Sequence, residues 1–433
     1  MIKYITLNNY GSILNATLYL TFGESKAPIG YRDSQIMPFI EIGKARIVPS
    51  LALIGPNASG KTTFIRGFSD VHDFIMRGRK LYNPYRLRAS SLPTTKIEVA
   101  WFDNNVEAEY KYSVEEGESG IVYESLECDG QLLFESRQGN LSVQAVNISE
   151  LDGEKISNTY ELKCVDANKR AQVKSVFAFL VKEFPGLDCR INNAYEFWKE
   201  RVFFYGLSSS ESFFGPNLLT AGIDQLAKTF TDAEPSKRED LAWQLLSKYM
   251  KKLDFNIQKV SCERIKFNPD QMPFADQLKD MIEDRGLFVN NIQTYHFSEN
   301  GELVPFKYAW ESNGTKRLMI ILSYLLTTIR TGGVAIVDEI EESMHTLLVQ
   351  ELLKLFNDKD LNKTKSQIIF TTHNTDLLSD SSLRRSQIAV VSQRGFSGTQ
   401  VRRLIDIPEV KQTDDFRQDY LNGYYDALPA AYL

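Results

Sequence analysis

Four apolar residues, Leu51 to Ile54, run without interruption into Gly55, and after Thr63 the apolar positions Phe64, Ile65 and Phe68 follow at helical spacing. A short unbroken apolar run predicts a strand buried on both faces, and the second pattern predicts a helix with one buried face. Before this unit, IKYITLNNY and ARIVPSLALI have strand composition, with polar turns at Asn8-Asn9 and Gly23–Lys26. From Lys96 to Ser136 four short strands are expected, separated by Asp103-Asn104-Asn105, Glu115–Gly120 and Asp129-Gly130, which predicts an antiparallel meander. Residues 140–285 carry two helical stripes, one at Val173, Val176, Phe177, Leu180 and Phe184 and one at Leu241, Leu245, Leu246, Tyr249 and Leu253. Both are expected to face a core, and no sustained heptads support a long coiled coil. Strands return around the hairpin signal Asn300-Gly301, followed by a helix from Arg317 to Ile329 that Gly332-Gly333 ends. A buried strand Val334–Val337, a helix through Leu347, Leu348, Leu352, Leu353 and Phe356, and a second buried strand Gln367–Thr371 complete the pattern. Helices alternating with short apolar strands predict an α/β fold with a parallel, doubly wound sheet. The expected division is 1–139, with the first sheet elements and meander, 140–285, a mainly helical insertion, and 286–433, the rest of the α/β unit.

Length and composition narrow the class without naming a chemistry. At 433 residues the chain has room for two or three structural units, and 43% hydrophobic with 24% charged residues is ordinary for a globular protein. No apolar run reaches the ~20 residues of a membrane span, so no membrane partner is expected. The strand-like MIKYITLNNYGS lacks the apolar segment of a signal peptide, and cytoplasmic residence is the expectation. Cys128, Cys164, Cys189 and Cys262 are widely spaced, which predicts reduced thiols in place of a zinc or iron–sulfur site. A net charge of −6 argues against non-specific coating of nucleic acid but leaves room for a local basic strip. Arg77, Arg79, Lys80, Arg86 and Arg88 form such a cluster, for which a solvated loop is favoured over a nucleic-acid or partner contact.

The chemistry begins at Gly55. Gly55, Gly60, Lys61 and Thr62 fit the spacing G-x-x-x-x-G-K-[ST] between a strand and a helix. Small residues let backbone N–H groups and the helix N-terminus of the stretch Gly55 to Thr63, with Asn57, Ala58 and Ser59 inside it, close on a phosphate. Lys61 would reach the β- and γ-phosphates of ATP, and the Thr62 hydroxyl would ligate Mg²⁺. Asp338 and Glu339 close a buried strand, the end of an open α/β sheet at which ligands bind. Asp338 would hold Mg²⁺ and Glu339 would polarise the attacking water. The bland alternative is an acidic pair that caps the following helix. His373, at the end of the next strand, could bond the γ-phosphate or position that water. His345, at the start of a helix, reads as an interface or packing residue. In ESNGTKRL, Ser312 could simply be an N-cap, or Ser312 with the N–H groups of Gly314 and Thr315 could bind a second phosphate group.

The ordered set GPNASGKT, ESNGTKRL, VAIVDEIEESMH and IIFTTHNTDLL resembles the ABC-type, SMC-like ATPases of the AAA-15 and overcoming-lysogenisation-defect group. ITLNNYGSI resembles the group's first strand, and LRRSQIAVV with YLNGYYDALP resembles its ending. Tyr424 and Asp426 depart from the usual Gly-Arg-Tyr-Gly sequence there, so no arginine role carries over. The resemblance covers about 1–130 and 286–433 and implies a P-loop ABC-type ATPase head with an antiparallel β-subdomain. It implies self-association of heads: Ser312, Gly314 and Thr315 of one subunit would act on the ATP held by Lys61 and Thr62 of another, with Glu341, Ser343 and His345 at the contact. The glutamine that couples the Mg²⁺ site to the inserted domain has no evident counterpart.

The resemblance also implies defence against phage. Some members carry a Toprim nuclease after the ATPase, but the residues after His373 hold no such acidic constellation. The expected partner is therefore a separate effector, a Toprim-type nuclease, as in anti-restriction-induced (PARIS) systems, with a phage protein as trigger. The alternative function is an SMC-like DNA-repair or DNA-processing ATPase, which the weak periodicity of 140–285 disfavours. A transporter subunit is disfavoured by the long gap between Lys61 and Ser312.

Overall fold

The computed structural model describes residues 1–23, 37–43, 45–79, 81, 94–144, 150–166, 171–206, 216–254, 256–266, 288–379, 383–393 and 398–427. The turn expected at Gly23–Lys26 and the basic residues Lys80, Arg86 and Arg88 fall wholly or partly outside them. Contacts divide the chain into two units. The first comprises Met1–Leu207, Thr331–Glu341 and Leu352–Leu433, and the second Ser208–Arg330 and Glu342–Glu351.

In chain order the first unit opens with β1 (Ile2–Tyr10), β2 (Ile13–Tyr19), β3 (Thr21–Phe22), β4 (Ile40–Ile42), β5 (Ala45–Ile47), β6 (Ser50–Ile54) and helix α1 (Lys61–Arg77). The meander follows as β7 (Thr95–Asp103), β8 (Ala108–Gly117), β9 (Gly120–Cys128), β10 (Gln131–Arg137) and β11 (Asn140–Val143). Then come α2 (Glu150–Cys164), β12 (Val165–Asp166), β13 (Ala171–Gln172), α3 (Val176–Glu183), α4 (Cys189–Arg201) and β14 (Val202–Tyr205). The second unit holds α5 (Pro216–Lys228), α6 (Arg238–Leu253), β15 (Lys259–Lys266), β16 (Phe288–Phe297), β17 (Leu303–Lys307) and nearly all of α7 (Asn313–Thr331). The chain then gives β18 (Val334–Val337), α8 (Thr346–Asn357), β19 (Gln367–Thr372), β20 (Ile388–Gln393), β21 (Thr399–Arg403) and α9 (Phe416–Leu421).

The sheet that positions the site has the order β14-β18-β19-β6-β20-β21, parallel throughout except at the edge pair β20–β21. Its inner strands SLALI, VAIV and QIIFTT are buried at every position, as strands covered on both faces must be. Neighbouring parallel strands deliver their carboxyl ends to one line, and so the ends of β18, β19 and β6 lie side by side. The meander forms a separate antiparallel sheet, β11-β10-β9-β8-β7-β1-β2. Trp101 of β7 is stacked between Tyr110 and Phe197 of α4, and Phe177 of α3 lies 5.7 Å from Tyr112, so apolar faces of α3 and α4 complete this sheet's core. Helix α1 begins after Gly60 at φ 100° and ends at the left-handed Gly78, whose N–H returns to Phe74 O at 3.0 Å.

The expected 140–285 insertion is divided. Residues up to β14 join the first unit, because the α3 stripe packs on the meander and β14 pairs with β18; the second unit begins at Ser208. In that second unit β15, β16 and β17 form a three-stranded antiparallel sheet, with the hairpin turn at Asn300-Gly301 where expected. Gly222 of α5 lies so close to α7 that an added Cβ would meet Ser323 Oγ at 2.1 Å. Among the described residues no helix is long and apolar enough to cross a membrane.

Candidate functional site

The loop between β6 and α1 is built around its own glycines. A Cβ on Gly55 would lie 2.1 Å from the Val391 carbonyl oxygen of β20, and one on Gly60 would lie 2.2 Å from Thr399 Oγ1. Thr399 Oγ1 donates to Ser59 O at 3.0 Å, which fastens the loop from below. Ala58 takes φ 61°, a left-handed position, and Asn57 and Ala58 are exposed at the loop tip. Ser59 Oγ is buried without a hydrogen-bond partner in the protein, and Thr63 turns its methyl towards Gly11.

Lys61 curls back into this loop. Its ammonium donates to Gly55 O at 2.8 Å and Pro56 O at 2.9 Å, and lies 3.2 Å from His373 Nδ1. Burial pushes its pKa down to about 8, against the upward pull of Asp338, Glu339 and Glu341. A lysine poised there still carries its charge at neutral pH. The ammonium can donate to Nδ1 of His373, whose Nε2 lies 3.5 Å from Glu339 Oε1.

The ends of β18 and β19 supply the rest. Thr62 Oγ1 lies 3.3 Å from Asp338 Oδ1, and Thr371 Oγ1 donates to that same oxygen at 2.5 Å. Thr371 Oγ1 also accepts the N–H of Glu339 at 2.7 Å, so one hydroxyl orients both carboxylate residues. Glu339 is itself left-handed at φ 49°, which turns the chain sharply out of the strand. The N–H of His373 is held by Glu341 Oε1 at 2.5 Å. On the other flank β14 ends beside Asp338: Tyr205 O accepts the Asp338 N–H at 2.9 Å, and Gly206, at φ 91°, leaves no room for a Cβ within 2.5 Å of Asp338 O.

The first unit thus brings together Lys61, Thr62, Asp338, Glu339 and His373. The donors facing Thr62 are hard oxygens, the set that suits Mg²⁺, which takes one or two protein ligands and fills its remaining positions with water and phosphate. Among the described residues no group of three or more His, Cys, Asp or Glu forms an all-protein metal cage. Thr371, Thr399 and the end of β14 were not singled out by sequence, and Glu341, expected at a contact between subunits, holds the His373 N–H. Two adjacent threonines before His373 were a signal for the first, since only one of them can point towards β18's end.

Ser312, Gly314 and Thr315 lie in the second unit. Ser312 Oγ accepts the N–H of Thr315 at 3.0 Å and Ser312 O accepts that of Lys316 at 3.0 Å, so Ser312 does cap α7. Thr315 Oγ1 lies 3.5 Å from Asp254 Oδ2. His345 Nδ1 accepts the Leu347 N–H at 3.2 Å and so caps the start of α8.

Residues 204–380 match the family described as "AAA domain, putative AbiEii toxin, Type IV TA system". That stretch holds Ser312–Thr315, Asp338, Glu339 and His373 and leaves Gly55–Thr62 outside it. The chain is also similar to the solved SMC head domain from Thermotoga maritima, with 11% identity, TM-score 0.40 and coverage of 93% of this chain and 98% of that one. A structure titled "Structure of the recombination mediator protein RecF-ATPrS in RecFOR pathway" is similar at 14% identity and TM-score 0.38, again covering 93% of this chain and 98% of that one. No curated protein matches the chain.

Proposed function

We propose that this chain binds and hydrolyses ATP, and that ATP drives the association of two ABC-type heads which hold, activate or release a separate effector. One observation carries the reading: Lys61, Thr62, Asp338, Glu339 and His373, drawn from three separated stretches, meet at the ends of adjacent strands. The AAA family match over 204–380 supports it.

The phosphates of ATP would lie along the 55–60 loop, with Lys61 exchanging its bonds to Gly55 and Pro56 for bonds to phosphate oxygens. Thr62 and Asp338 would hold Mg²⁺, which when bound offsets the charge that builds on the transferring phosphoryl group. Glu339 would take the proton of the attacking water, and the Nε2–H of His373 would orient that water or the γ-phosphate. Thr371 keeps the Asp338 carboxylate turned inward while this happens. Ser312, Gly314 and Thr315 would complete the site of a second copy, and that contact makes turnover depend on assembly.

The effector is proposed to be a Toprim-type nuclease acting in defence against phage, with a phage protein as trigger. The toxin named in the family description supports a system with an acting component. Purified protein with Mg²⁺-ATP should bind nucleotide and shift to a larger species in sedimentation. Lys61→Ala should lose binding, and Glu339→Gln should lower turnover at least about a hundredfold while retaining the ATP-bound assembly. Absence of both binding and a size shift in the wild type would reject the proposal. Turnover stimulated by DNA alone would favour a DNA-processing ATPase instead.

A further inference from the structure

Arg317 is the one fully buried arginine among the described residues with an acidic partner on the surface. Its side chain is 0% exposed, and it pairs with Glu342, which is 49% exposed. A guanidinium taken out of water is costly unless its partner stays in place, so this geometry makes Glu342 hold to Arg317. Arg317 is the fifth residue of α7, two positions after Thr315. Glu342 follows Glu339 by three positions.

A second contact joins the same two segments. Gly314 packs on the backbone of Ser343 so closely that a Cβ would lie 2.5 Å from its carbonyl oxygen. Ser343 takes φ 59°, so the segment turns back at this point to meet the glycine. On the other side of Glu342, Glu341 holds the His373 N–H. The peptide 339–343 therefore runs from the carboxylate that would activate water, through the residue that holds His373, to the two residues that fix the 312–315 turn.

We propose that Arg317 and Glu342 are positioning residues that lock the 312–315 turn to the peptide following the carboxylate pair, and that ATP at Lys61 is communicated along this peptide to the turn a second copy would meet. The proposal rests on the ATPase reading above and adds a route to it. Neither residue touches nucleotide.

The test uses Glu342→Gln, whose half-exposed side chain can change without exposing a core, and Glu342→Asp as the conservative rescue. Amide hydrogen exchange of Thr315 and Lys316, whose N–H groups are held by Ser312, should quicken about tenfold in nucleotide-free Glu342→Gln, the effect of losing one charge-assisted contact, and recover in part in Glu342→Asp. Exchange in β18 and β19 should not change. In dilute wild-type protein, Mg²⁺-ATP should alter exchange at these two amides, and in Glu342→Gln it should not, although nucleotide affinity stays within about twofold of wild type. ATP-driven self-association of the variant should weaken about tenfold. Equal exchange at Thr315 and Lys316 in wild type and Glu342→Gln overturns the lock. A wild-type chain that binds no ATP rejects the proposed function instead, with the nucleotide-free comparison still deciding the lock.

Discussion

At the scale of single residues, Thr371 and Lys61 carry the clearest consequences. Thr371 Oγ1 is the hinge of the acidic end, donating to Asp338 and accepting from Glu339. Thr371→Val keeps the shape and removes both bonds, so a buried carboxylate oxygen loses a donor at a cost of about 1–3 kcal/mol. Turnover should fall about tenfold with ATP affinity nearly unchanged, as steady-state kinetics and nucleotide titration would report. Unchanged turnover would mean that Asp338 needs no such support. Lys61 gives a pH prediction. Its pKa near 8, lowered by burial, means that the nucleotide-free site sheds a proton as pH rises through that value. Phosphate requires the ammonium, so ATP binding must recover that proton. Proton uptake measured calorimetrically in buffers of different ionisation enthalpy should grow between pH 7 and 9, and affinity should fall up to about tenfold per pH unit above the free value. Binding without uptake at pH 9 would contradict the buried setting of Lys61.

At the scale of elements, the buried strands were legible because they are unbroken apolar runs that end abruptly in glycine or polar residues. β6 runs into Gly55, β18 into Asp338 and β19 into His373 as the patterns predict. The meander follows its pattern, and α3 buries Val176, Phe177 and Leu180 as expected, but α6 buries Ala242, Trp243, Leu246 and Met250, a face that shares only Leu246 with the expected stripe. β14 was not legible. Its four residues, VFFY, continue directly from α4, and so short an apolar stretch has no period to distinguish strand from helix. Only the pairing with β18 reveals it, and the same pairing explains Gly206. Gly206→Ala would put a Cβ 2.5 Å from Asp338 O at φ 91°, two faults at one position. We expect a loss of about 1–3 kcal/mol in denaturant unfolding together with impaired turnover. A variant of wild-type stability and activity would show that the end of β14 yields without disturbing Asp338.

At the scale of the whole molecule, the two-unit division was hidden from the sequence because it cuts through continuous elements. Glu341 and Glu342 are chain neighbours in different units, and α8 begins in one and ends in the other. No composition shift marks such a boundary. Within the first unit the fold depends on polar anchors between segments far apart in sequence. Arg201 at the end of α4 donates to Asp103 Oδ1 at 2.6 Å with the carboxylate wholly buried, tying the meander to the strand that follows. Asp103→Ala should cost about 3–5 kcal/mol, because it strands a buried guanidinium. Replacing both partners by apolar residues should cost less, as a double-mutant cycle in urea would show; equal cost for the pair and the single change would argue that the contact is packing alone.

The position of β6 has a consequence in time. The strand that leads into the 55–60 loop has both its neighbours, β19 and β20, drawn from residues beyond 366, with registers such as Leu51↔Ile369 and Ala52↔Ile388. Gln367 closes the same circuit by accepting the Ile2 N–H at 2.8 Å and donating to Val48 O at 3.0 Å. On a ribosome the 55–60 loop emerges and then waits for more than three hundred residues before its sheet can form. The proposed nucleotide site therefore cannot form before the residues of β19 and β20 have been made, and a chain cut short of them should bind no ATP.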